Sequence, residues 1–159
     1  WDESEQTKGL YITIPYNYMP KGYIKSQTSV HFMHYHFVWC PKYRRPVLIG
    51  KIEKRHKQLI EQKCKELNCE IKALEIMPNH THLFIQGNPT QSPNLIVAQI
   101  KGFTSNMLRK EFPELLKLPA LWTRSYWVST AGNVSQAVIR KYIQEQTGNA
   151  TDKHYRTKA

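Results

Sequence analysis

The chain has 159 residues, with 23 Lys and Arg against 12 Asp and Glu, a formal charge of +11. That excess implies a polyanionic partner, nucleic acid ahead of a membrane surface. Aspartate occurs only as Asp2 and Asp152, which excludes the usual two-metal nuclease or transposase core built on aspartates. A phosphate-binding glycine loop is absent, so no nucleotide cofactor is expected. No apolar run is long enough to span a bilayer and nothing resembles a signal peptide, which predicts a cytoplasmic protein with no membrane partner. Cys40, Cys64 and Cys69 form no CxxC pair and read as reduced, buried thiols.

In chain order, residues 1–28 lack a sustained period and are expected to form a loose arm, with a short strand over residues 11–14. Residues 30–40 are rich in aromatic and β-branched side chains and predict a first strand. Pro41 ends it, and Lys42, Tyr43, Arg44 and Arg45 follow as a basic loop. Residues 51–67 predict a helix with the apolar stripe Ile52, Leu59, Ile60, Cys64 and Leu67, stopped near Asn68. Residues 70–77 and 80–86 predict two strands joined by a Pro78-Asn79 turn. Strict alternation groups Ile71 with Ala73 and Glu75 in the first, and His80 with His82 and Phe84 in the second. A second helix is expected over residues 94–112, with Ile96, Ile100, Phe103 and Met107 on one face. A fourth strand follows over residues 121–130, and a third helix opens at Asn133, with Gln136 close to a capping box, and ends near Gln146 before Gly148. Trp39, Trp122 and Trp127 are expected mostly in the core. The order βαββαβα implies an α+β fold, a ferredoxin-like sandwich whose antiparallel four-stranded sheet carries its helices on one face.

His80 and His82, at i and i+2 on a strand, place two imidazoles on one face, a two-nitrogen chelate for a divalent metal. Alone the pair is a weak signal, since most such pairs are surface or hydrogen-bonded histidines. Tyr142 and Gln146, at i and i+4, share one helical face, beside the apolar ridge of Ile139 and Ile143. A phenol with a pKa near 10 is a poor nucleophile unless a Lewis acid or base assists it. A metal held by two histidines and a carboxamide oxygen would supply that assistance. In so basic a chain the combination suggests cleavage of single-stranded DNA through a tyrosine. His34 and His36 also share a strand face, but without acidic or cysteine partners at zinc-site spacing they read as structural or DNA-facing.

The runs HYHFVWCPKYRRPVL, PNHTHLFI, LWTRSYWVST and VIRKYIQEQ together resemble the single-tyrosine HUH transposases of the TnpA type, of the IS-two-hundred/IS-six-zero-five insertion-sequence group. The resemblance covers roughly residues 30–147. It implies an obligate homodimer in which Tyr142 is the nucleophile, and His80, His82 and Gln146 hold Mg2+ or Mn2+. The tyrosine would form a 5′-phosphotyrosine link and release a 3′-hydroxyl on single-stranded transposon ends bearing hairpins. The middle residue of the family's histidine pair is normally hydrophobic and here is Thr81, whose hydroxyl needs a buried partner.

On this reading residues 29–149 are the catalytic domain and residues 150–159 a basic tail. The expected DNA contacts are Lys42, Tyr43, Arg44, Arg45, Lys101, Arg109, Lys110 and Arg124, where cations neutralise phosphates and rings stack unpaired bases. Two other readings stay open: a domesticated relative acting on chromosomal repetitive hairpins, and a noncatalytic single-stranded nucleic-acid-binding module.

Overall fold

The computed structural model describes residues 23–25 and 30–131. The chain divides into two compact units, Trp1–His31 and Phe32–Ala159. In the first, strands β1 (Ile24–Lys25) and β2 (Val30–His31) form a short antiparallel ladder with Ile24 opposite His31. The expected strand over residues 11–14 lies outside the described residues. The single strand predicted from residue 30 to residue 40 is two: Val30 and His31 pair with β1, and a second strand starts at His34.

The second unit contains β3 (His34–Trp39), α1 (Gly50–Glu66), β4 (Glu70–Met77), β5 (His80–Gln86), α2 (Pro93–Glu111) and β6 (Trp127–Ala131). The strands form one antiparallel sheet in the order β4-β5-β3-β6. Register puts Tyr35, Phe37 and Trp39 beside Ile85, Leu83 and Thr81, so these share one face. That face packs with Ile52, Leu59, Ile60 and Cys64 of α1 and Ile96, Val97, Ile100 and Leu108 of α2 in a single core. Each fully buried large aliphatic side chain there contributes roughly 1.5–3 kcal/mol.

Three sequence expectations change in this unit. A β-bulge between Ile71 and Ala73 resets the phase of β4. Ile71 therefore joins Leu74 and Ile76 against the core instead of sharing a face with Ala73 and Glu75. On α2 the fully buried line is Ile96, Val97, Ile100, Thr104 and Leu108, with Phe103 and Met107 at its margin. The fourth strand begins at Trp127, not near residue 121, because residues 121–125 are tied to other partners. Trp122 bridges Pro41, and its indole Nε1 donates to Lys101 O at 3.1 Å.

Helix ends follow local chemistry. Ser92 caps α2 by accepting from Leu95 N at 3.2 Å, with Pro93 in the first turn. Arg55 on α1 clasps Glu111 on α2 through two bonds of 2.8 and 2.9 Å. The helix expected from Asn133 onward lies outside the described residues. Among the described residues no helix is long and apolar enough to cross a membrane.

Candidate active site

The sheet face opposite the helices is built from the alternate residues: His34, His36 and Val38 of β3, His80, His82, Phe84 and Gln86 of β5, and Ala73, Glu75 and Met77 of β4. Four histidines thus share one surface, and all four are buried. As expected, His80 and His82 point together, away from Thr81, Leu83 and Ile85, and their ring centroids are 4.9 Å apart.

Each of these two rings is held by its Nδ1. His80 Nδ1 lies 2.6 Å from Asn79 Oδ1, where the carboxamide oxygen accepts. His82 Nδ1 lies 3.0 Å from His36 Nε2. Nε2 is therefore the atom each ring retains for another ligand. Burial pushes the imidazoles toward their neutral form. His82 falls to about 3, through desolvation first and then the neighbouring His80 and His36. His36 falls to about 4 by desolvation. His80 is lowered by desolvation and then by the charge of Arg44.

Neutral imidazoles, each with one nitrogen engaged outward and one left over, fit the donor chemistry of a divalent metal site. Two nitrogens alone do not complete such a site. Among the described residues no group of three His, Cys, Asp or Glu side chains is placed to hold a metal. A third donor must be of another type or come from elsewhere. Tyr142 and Gln146 lie outside the described residues.

The basic loop stands beside this face. Residues Lys42–Arg44 form a 3-10 turn in which Tyr43 and Arg44 both take left-handed backbone, φ 58° and 51°. Such conformations cost non-glycine residues of order 1–3 kcal/mol and persist only when their surroundings impose them. Here Lys42 N donates to Leu121 O at 2.7 Å and Thr123 N to Cys40 O at 3.0 Å, which stitches both sides of the loop to residues 121–123. The result holds the Tyr43 ring 65% exposed, with Lys42 Nζ 5.4 Å from its centroid. Arg45 and Arg124 are exposed as well.

Lys101 has a different position from the one expected of a phosphate contact. Its ammonium donates to the carbonyls of Thr123, Arg124 and Ser125 at 2.7, 3.2 and 3.1 Å, so it pins the segment that carries Arg124. The structure gathers Lys42, Tyr43, Arg44, Arg45, Lys101 and Arg124 into one neighbourhood through these bonds. Arg109 and Lys110 are at the C-terminal end of α2, where Arg109 donates to Pro119 O at 3.3 Å.

By sequence alone, Asn79 has only a turn and His36 only a structural or DNA-facing role, and His56 is not singled out. Asn79 and His36 hold the two site histidines, and His56 on α1 meets Thr81 from the other side of β5. His56 carried a signal, since it falls within the apolar stripe of α1 four residues after Ile52. For His36 the alternation showed the face but not the neighbour. Trp127, expected in the core, is 38% exposed on the histidine face and meets His36 edge-on at 5.2 Å. Cys64 and Cys69 are buried and Cys40 partly so, and all three are free thiols.

Comparison with known proteins gives the family and the fold. The family profile described as "Transposase IS200 like" matches residues 29–146. The ISDra2 transposase TnpA of Deinococcus radiodurans is 30% identical over 134 residues, covering 82% of this chain and 96% of the relative. The transposase for insertion sequence element IS200 of Salmonella typhimurium is 30% identical over 115 residues, covering 70% of this chain and 75% of the relative. The 1.90 Å crystal structure of a candidate transposase from Deinococcus radiodurans R1 superposes with a TM-score of 0.64 at 31% identity, over 77% of this chain and 97% of that one. It shares the α+β architecture of a four-stranded antiparallel sheet and two helices. A REP-associated tyrosine transposase bound to a REP hairpin shares the fold at 15% identity, with a TM-score of 0.52 over 79% of this chain and 75% of that one. With the matched region spanning the basic loop, the histidine pair and both helices, this chain belongs to the IS200-like single-tyrosine transposase family, the TnpA type of the IS200/IS605 group.

Proposed function

We propose that this transposase cuts and rejoins single-stranded transposon ends through Tyr142, with His80, His82 and Gln146 as the protein ligands of Mg2+ or Mn2+. The observation that carries the reading is the pair of buried, neutral imidazoles on one face of β5, each held at Nδ1. Such a bound ion would act as a Lewis acid on the scissile phosphate. In the cleavage step the Tyr142 phenol oxygen bonds to phosphorus and the P–O3′ bond breaks. The 3′ oxygen takes up a proton, leaving a 5′-phosphotyrosine and a free 3′-hydroxyl. The reverse attack by another 3′-hydroxyl rejoins the strand without an external energy source.

The remaining parts of the proposal follow from where the charges lie. Arg44, whose charge reaches His80, is placed to steady a phosphate at the metal site. Tyr43 offers an exposed ring for an unpaired base, and Lys42, Arg45 and Arg124 surround it with cations. Lys101 serves DNA indirectly, by holding the Arg124 segment. Arg109 and Lys110 would extend the contact along α2. Residues 133–146 would add the third helix of a ferredoxin-like sandwich, bringing Tyr142 and Gln146 to the histidine face. The active form is a homodimer, and the substrates are end hairpins, as the hairpin-bound relative suggests for this fold.

The test uses labelled single-stranded hairpin DNA from the element's ends, incubated with Mg2+ and either wild type or Tyr142→Phe, then run on a denaturing protein gel. A DNA-dependent covalent band in wild type, absent in the variant and in EDTA, is the expected result. Tight binding without any band would replace this reading with that of a noncatalytic binding module.

A further inference from the structure

His36 lies beyond the expected ligand set, yet its ring touches that set directly. Its Nε2 is 3.0 Å from Nδ1 of His82, and the two rings are close to parallel, 19° apart with centroids at 5.3 Å. His36 is 1% exposed. The Trp127 ring meets it edge-on at 5.2 Å, and Phe84 lies 6.1 Å away on the same sheet face. Packing on this scale holds an imidazole in one rotamer, so the nitrogen facing His82 is not free to swing away.

A neutral imidazole carries one N–H and one bare nitrogen, and only the bare nitrogen can bind a metal. If His82 Nδ1 carries the proton and donates to His36, its Nε2 is bare. If His36 donates instead, His82 Nε2 carries the proton and is lost as a ligand. At His80 the same question is settled by chemistry, because Asn79 Oδ1 can only accept. We infer that His36 is a positioning residue, resting on the metal-site reading above, which accepts from His82 Nδ1–H and so fixes the ring and tautomer that present Nε2 to a divalent ion.

The choice of a neutral acceptor suits this site. A carboxylate at the same place would put an anion beside a position that must receive DNA phosphate, where charge repulsion in a buried setting is strong. An imidazole orients the ligand without that charge. The arrangement gives each ligand histidine its own neutral acceptor, a carboxamide for His80 and an imidazole for His82.

Two readouts on the whole chain test this, with histidine-selective nitrogen-15 labelling and His82→Ala to assign the His82 resonances. In metal-free wild type, His82 should show a protonated Nδ1 and a bare Nε2. His36→Phe keeps an aromatic ring at this position but offers no acceptor, so His82 should shift toward the opposite tautomer, and Mn2+ affinity measured by electron paramagnetic resonance should fall about 10- to 100-fold. His36→Gln can place a carbonyl oxygen near the lost Nε2 and should restore most of both. A protonated Nε2 on His82 in wild type overturns the inference without any variant. So do an unchanged tautomer and unchanged Mn2+ affinity in a folded His36→Phe. The metal-site reading fails separately, if wild type and His80→Ala bind Mn2+ equally poorly while the tautomer of His82 still depends on His36.

Discussion

His56 Nε2, on α1, lies 3.1 Å from Thr81 Oγ1 near the start of β5, and both residues are fully buried. The Thr81 hydroxyl is therefore satisfied from the helix behind the sheet. Trp39 and Trp122 close around the imidazole at centroid distances of 6.1 and 5.0 Å. Replacing one partner leaves the other unpaired in the core, whereas replacing both removes the need for the bond. Thr81→Val and His56→Leu should each cost about 1–3 kcal/mol, and the double variant should recover most of that sum. Urea denaturation of the four proteins measures the coupling, and strictly additive losses would show that the pair does not interact.

The same histidine makes stability depend on pH. Burial lowers His56 from an ordinary 6.5 to about 3. Between those values the unfolded chain binds a proton that the native state refuses, so stability falls as pH drops below 6.5 and the loss is complete near 3. At pH 5 the contribution is roughly 2 kcal/mol, from about 1.4 kcal/mol per unit. Comparing urea midpoints at pH 7.5 and pH 5, His56→Leu should lose about that much less than wild type. Equal losses in the two proteins would remove His56 as the cause.

Removing a site histidine should separate chemistry from binding. His80→Ala and His82→Ala are each expected to reduce strand cleavage below detection at ordinary Mg2+, while hairpin affinity in a gel-shift assay changes less than about threefold, since most DNA affinity comes from phosphate contacts. Gln146→Ala should be milder, because water can replace one neutral oxygen ligand. Ordinary cleavage by either histidine variant would end the metal assignment.

Tyr43 is expected to show a trade between stability and DNA affinity. Its left-handed backbone suits glycine, and its ring is largely exposed. Tyr43→Gly should therefore fold at least as stably as wild type, with a gain of up to about 1 kcal/mol. It should also weaken single-strand binding by roughly 1–3 kcal/mol through the lost stack. Calorimetry and fluorescence anisotropy on one preparation measure both, and unchanged affinity would show that the ring does not touch DNA.

Much of the architecture was legible because its signals are local. The stripe of Ile52, Leu59, Ile60, Cys64 and Leu67 and the alternation of His80, His82 and Phe84 against Thr81, Leu83 and Ile85 each follow from one element's period. Where a local irregularity intervened, the period misled: the bulge after Ile71 moved that residue to the other face, and Trp122 left the predicted strand to bridge Pro41.

The sequence by itself determined the strand-helix-strand-strand-helix-strand order across residues 34–131 and the sharing of one strand face by His80 and His82, because both depend on repeats within a few residues. Only the tertiary structure decided which neighbour each histidine would have. His36 is 46 residues from His82 and His56 is 25 from Thr81, and they meet because β3 pairs with β5 and α1 packs behind it. Strand register and helix docking are set by the fit of the whole core, and no spacing along the chain encodes which nitrogen will face which.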